Sequence, residues 1–206
     1  MDIKMCAPAA VAAAMVGLSV QCDAGVLYKV TLEGEITFVG ELIGTPLGDM
    51  PIGPRASDRW SMTVVYDAGS PDELSADLVR YRSSVVSGMV GIDDHEMALA
   101  FDTVGTGVEL GSAGGGSLAF AGMLMGELDV SVDIGGVDLG PGLAMPDAVD
   151  AGQVSHANFG VRNQIGHTLI AGSLDGYTLE VITPAPSCVA VLGLAGVGAA
   201  TRRRRA

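Results

Sequence analysis

The sequence predicts an all-β protein, a single antiparallel β-sandwich or jelly roll, and three observations carry that expectation. Leu128, Val130, Val132 and Ile134 alternate with Glu127, Asp129, Ser131 and Asp133, the period-2 signature of a strand with one buried and one wet face. Short apolar segments then recur along the chain between turns rich in Gly, Pro and Asp. Between them no segment reads as a long amphipathic helix, whereas a parallel sheet would need a crossover helix between each pair of strands.

The elements follow in order. In residues 25–39, Val26, Tyr28, Val30 and Leu32 alternate with Leu27, Lys29 and Thr31, and Ile36 and Phe38 continue the series, which reads as a first, bulged strand pair. A Gly/Pro-rich loop over 44–54 precedes a strand from Trp60 to Tyr66, which ends at Asp67-Ala68-Gly69-Ser70-Pro71. Residues 72–81 are the one stretch in the body read as able to hold a helical turn or two. Strands are expected at 84–92, 97–101, 107–110, 118–125 and 128–134, then a loop over 135–152, and closing strands near 158–162 and 168–181. No repeat of fixed period appears, which argues against a solenoid or propeller.

Both ends differ from this body. Residues 7–20 form an uninterrupted run of small and apolar residues behind Lys4, and Cys22-Asp23-Ala24 places small residues where a secretory cleavage site needs them. A leader helix over 1–24 is therefore expected, cut between Ala24 and Gly25, leaving a body of residues 25–183. The last segment, 184–206, has three parts: a hinge at Pro184-Ala185-Pro186, an uncharged stretch over 187–201, and the cluster Arg202, Arg203, Arg204 and Arg205. As a helix that stretch reaches about 22 Å, short of a hydrocarbon core of roughly 30 Å, and the arginines favour the cytoplasmic side. The body would then lie outside the cytoplasm.

This order of leader, proline hinge, short apolar helix and terminal arginines resembles the PEP-CTERM class of bacterial exported proteins, with Ala185 standing where that class has Glu. The resemblance covers about the last 23 residues. It implies removal of the tail by an exosortase-type membrane protease after signal peptidase has cut the leader, and it implies a surface or matrix location linked to extracellular polysaccharide. Within the body, "WSMTVVYDAGSPDE" (60–73) and "AGSLDGYTLEVITPAP" (171–186) are similar to the strand and turn order of exported sandwich proteins that carry such tails.

Composition narrows the function. Of 24 acidic and 11 basic residues, removing Asp2, Asp23, Lys4 and the four terminal arginines leaves 22 acidic and six basic, a body charge of −16. Such a surface repels nucleic acid and anionic lipid. Cys6 and Cys22 belong to the leader and Cys188 to the tail, so the body has no thiol for a disulfide, a metal or a nucleophile.

The polar clusters point to no cofactor or metal. Asp93-Asp94-His95-Glu96 reads as a solvated hairpin turn, because neighbours on a strand point to opposite faces. Asp129 and Asp133 read as the wet side of their strand, and Asp138, Asp147 and Asp150 lack the spacing of a calcium loop. His95, His156 and His167 sit in no recognisable catalytic setting. "GSAGGGS" (111–117) lacks the lysine of a phosphate loop. Trp60 reads as a core anchor. The expectation is a non-enzymatic structural protein of the cell surface or matrix; the alternative is a secreted glycan-binding module.

Overall fold

The computed structural model describes residues 26–42, 45, 47–48, 53–101, 105–112, 115–140, 142–150 and 152–182. The expected leader with Ala24 and Gly25, and the expected tail with Pro184, Pro186 and Arg202 to Arg205, lie outside the described residues. Eleven strands run in chain order: β1 (Leu27–Val39), β2 (Arg59–Asp67), β3 (Glu73–Leu74), β4 (Leu78–Tyr81), β5 (Val85–Ile92), β6 (His95–Ala100), β7 (Gly107–Gly111), β8 (Ser117–Leu124), β9 (Leu128–Gly135), β10 (His156–Asn163) and β11 (Thr168–Ile182). All pairings between them are antiparallel.

The fold is a closed eight-stranded barrel, which corrects the expected sandwich or jelly roll. Neighbours around the ring are β1, β2, β5, β6, β8, β9, β10 and β11, and β11 returns to β1. Closure depends on two seams. One is long, the β1–β11 ladder from Leu27↔Ile182 to Val39↔Ile170. The other is short: β6 meets β8 only at Leu99↔Leu124 and Ala100↔Met123. Beyond that point β7 takes the same edge of β8, from Gly107↔Ala121 to Gly111↔Ser117. β4 pairs with β7 and leads through Arg82–Ser84 into β5, while β3 pairs with β4 and follows β2. Three staves are thus built from two segments each: β2 with β3, β4 with β5, and β6 with β7.

This geometry also corrects two local expectations. Residues 72–81 hold no helical turn; they form the β3–β4 hairpin, locked by the Asp72 carboxylate, which accepts from the Arg82 N–H and from both the N–H and hydroxyl of Ser83. These bonds favour the charged form and hold the Asp72 carboxyl below its ordinary range, the Ser83 hydroxyl contributing most. Residues 27–39 form one strand, not a pair, with a bulge at Thr37 between Ile36↔Gly172 and Phe38↔Ala171. The extra residue reverses the alternation. Phe38, expected inside with Ile36, points out and is 49% exposed, and Val39 turns in.

The lumen is filled. Val30, Leu32, Met62, Val64, Val90, Phe120, Val130, Val132, Val161 and Ile170 are wholly buried, as an eight-stranded barrel interior allows. Outward positions carry Lys29, Glu33, Glu35, Arg59, Ser61, Asp129 and Arg162, so the polarity is the reverse of a membrane-spanning barrel. No helix among the described residues is long and apolar enough to cross a membrane.

Trp60 sets the packing at one end. Its ring stacks on Phe159 across the lumen, centroids 4.2 Å apart and planes 9° apart, and its Nε1–H donates to the Ser173 carbonyl at 2.9 Å. Gly34 and Gly172 make room: a Cβ on either would lie within 2.7 Å of Trp60 Nε1. All four tyrosines gather toward the other end. Tyr66 meets Tyr28 edge-on at 5.8 Å and Tyr81 at 4.8 Å, and Tyr177 donates to the Pro146 carbonyl at 2.8 Å, tying β11 to the loop after β9. Burial, above all, pushes the Tyr66, Tyr81 and Tyr177 phenols up from their ordinary values.

Candidate functional site

The predicted polar residues are dispersed. Asp93 and Asp94 form the β5–β6 turn, with Asp93 at φ 51° and its N–H bonded to the Arg59 carbonyl at 2.8 Å, and His95 and Glu96 open β6. Asp129 and Asp133 both point outward from β9, but four residues of strand separate them by about 13 Å, too far to share an ion. Desolvation pushes the Asp133 carboxyl up, against the pull of Arg162 and His156. Asp150 is consumed by its own turn, accepting from the Gly152 N–H and from Gln153 Nε2.

The histidines do not converge. His95 opens β6, His156 opens β10 beside Ser155, and His167 lies in the β10–β11 turn. Gly135 lies directly under the His156 ring, where any side chain would collide with it. Residues 111–117 span the β7–β8 turn, where the Gly116 carbonyl, at φ 100°, accepts from Gly136 and Val137. Among the described residues, no three His, Cys, Asp or Glu side chains are placed to hold one metal ion.

Among the described residues, a polar hollow assembles on the outside of β1, β2 and β5. It has a volume of about 210 Å³ and is lined by Glu33, Arg59, Trp60, Ser61, Gly91 and Asp93. Register explains it. Glu33, Ser61 and Gly91 stand side by side on three adjacent strands, and Gly91 has no side chain to fill its place. A Cβ there would come within 2.6 Å of the Ser61 hydroxyl.

Arg59 is held at the rim by Asp175, Nη1 to Oδ2 at 2.6 Å. Asp175 reaches it because it is the extra residue of a second bulge, between Glu33↔Gly176 and Gly34↔Leu174. Both partners are about half exposed, so the pair adds at most about 1 kcal/mol to stability. The hollow offers carboxylates as acceptors, a hydroxyl and a guanidinium as donors, and no aromatic platform, since the Trp60 ring faces the core. Such a set can both accept from and donate to the polar groups of a ligand.

Sequence reasoning missed this hollow. Its lining comes from positions 33 to 93, with Asp175 at the rim, and only the ladder and the bulge at Asp175 bring them together. Gly91 between Val90 and Ile92 was the available signal: a glycine inside a strand marks a place where something else needs room.

The fold and site define an all-β barrel with a filled lumen and a shallow polar hollow on its outer wall. No family model, curated protein or solved structure matches the chain.

Proposed function

We propose that this chain is an exported, non-enzymatic barrel of the cell surface or extracellular matrix, associated with the polysaccharide layer. The observation that supports the reading most is where the chain enters and leaves the barrel. Leu27 and Ile182 are register partners on adjacent strands, so the first and last strands of the barrel begin and end side by side at the tyrosine end. A leader cut between Ala24 and Gly25 and a tail processed near Pro184 to Ser187 would both be trimmed at that end, with no strand disturbed. Intact-mass analysis of protein recovered from its native host is expected to give a chain that begins at Gly25 and lacks Arg202 to Arg205. A recovered chain that retains Met1 to Ala24 overturns the reading.

The hollow at Glu33, Arg59 and Asp93 favours a second reading, a glycan-binding module. Its test is a glycan-array screen in which Glu33→Gln and Arg59→Ala abolish any hit. Trp60→Ala is no control for such a screen, because that ring is core. A hit that survives both hollow substitutions removes this reading.

A further inference from the structure

We infer that, before its tail is released, the barrel stands end-on on the bilayer, with the tyrosine end seated on the lipid surface and the hairpin tips at 125 and 165 held away from it. This rests on the reading of residues 187–201 as a membrane-inserted segment and goes beyond it by fixing how the body is presented.

Linker length is the first support. The β1–β11 ladder runs to Ile182, and the uncharged segment starts at Ser187. Four residues intervene, two of them proline, and a chain of that length spans at most about 14 Å. The end of β11 therefore cannot rise far from the headgroups.

The second support is the composition of that end. Val26, just before β1, is 47% exposed, and Val181, the register partner of Tyr28, is 56% exposed. Leu74 is 71% exposed and sits on β3, which extends the β2 stave past Asp67, where β2 pairs with Leu27. Three exposed apolar side chains thus share the rim from which the tail departs, although Leu74 is far from Val26 and Val181 in sequence. Such residues gain by entering an interfacial layer. Three of the acidic groups there have partners: Glu180 pairs with Lys29, Glu73 with Arg80, and Asp77 accepts from the Ser112 hydroxyl. The body's charge of −16 sets the lipid, since anionic headgroups would repel this rim while uncharged ones would not. Met125 and Ile165, also exposed, cap the β8–β9 and β10–β11 hairpins at the opposite end.

The test uses the full chain with its native cysteines replaced by serine, reconstituted into vesicles of phosphatidylcholine and phosphatidylethanolamine. An environment-sensitive fluorophore is attached through Leu74→Cys in one preparation and Ile165→Cys in another. Both sites are exposed, so the labels should leave the melting temperature unchanged. A nitroxide quencher carried on the lipid is expected to quench the label at 74 and to leave the label at 165 as bright as in quencher-free vesicles. Vesicle-bound chain with the two labels quenched alike, or with 74 unquenched, overturns the end-on seating and leaves membrane insertion standing. Chain that fails to float with the vesicles overturns the insertion on which the inference rests, and the inference with it.

Discussion

Trp60→Ala is expected to lower the stability of the barrel by about 4 kcal/mol, the range for removing a large buried aromatic. Three losses combine. The indole is 1% exposed, so its whole apolar surface returns to a cavity that the rigid staves around it cannot close. Its stack on Phe159, 4.2 Å away, disappears, and with it a contact that crosses the lumen and not merely a neighbouring strand. The Ser173 carbonyl also loses the Nε1–H that it accepts at 2.9 Å. Against a typical total of roughly 5–15 kcal/mol, such a loss leaves a fold that persists with a melting temperature lower by about 8–16 °C. Trp60→Phe separates the contributions, since it keeps a ring against Phe159 and gives up the donor and part of the volume; its cost should be about 2 kcal/mol. A Trp60→Ala variant that melts with the wild type would place the indole outside the core.

Much of the strand pattern was legible because it is local. Period-2 alternation from Leu128 to Ile134 and the turn at Asp93-Asp94 depend only on residues within a few positions of one another. What the alternation cannot reveal is how the sheet ends. A sandwich and a barrel bury the same alternate residues, and the difference lies in whether the edges find each other. Here they do so through Leu27↔Ile182 and Leu99↔Leu124, pairings that no turn residue announces.

The bulges hid the rest. Thr37 looks like any outward threonine, yet as the extra residue it reverses Phe38 and Val39. Asp175 looks like a wet-face acid, yet its bulge aims it at Arg59 and completes the rim of the hollow. Residues 72–81 read as helix-compatible because Asp, Glu, Ala and Leu are tolerated there. The competing preference was tertiary, since β4 must continue β5 for β7 to reach β8.

Gly34→Ala is expected to cost stability on a similar scale, although it adds a single methyl group. A Cβ at residue 34 would fall inside the van der Waals envelope of the Ser173 carbonyl oxygen and within 2.6 Å of Trp60 Nε1. The second obstacle is a side chain and can yield; the first is backbone at the β11 bulge, held by the ladder on both sides of it. Relief therefore requires β11 to move off β1 at the seam that closes the barrel. Overpacking ordinarily costs about 1–3 kcal/mol, and this site should reach or exceed the upper figure because no rotamer change can absorb it. The double variant Gly34→Ala/Trp60→Ala distinguishes the two obstacles. If the ring were the main one, removing it would recover most of the loss caused by the alanine. With the Ser173 carbonyl as the main one, the two costs should add to within about 0.5 kcal/mol, or the double variant should fail to fold, and chemical denaturation of the four proteins reads the difference. A Gly34→Ala protein with a wild-type midpoint would mean that β11 does not cross residue 34 in this register, and the closure of the barrel would have to be redrawn.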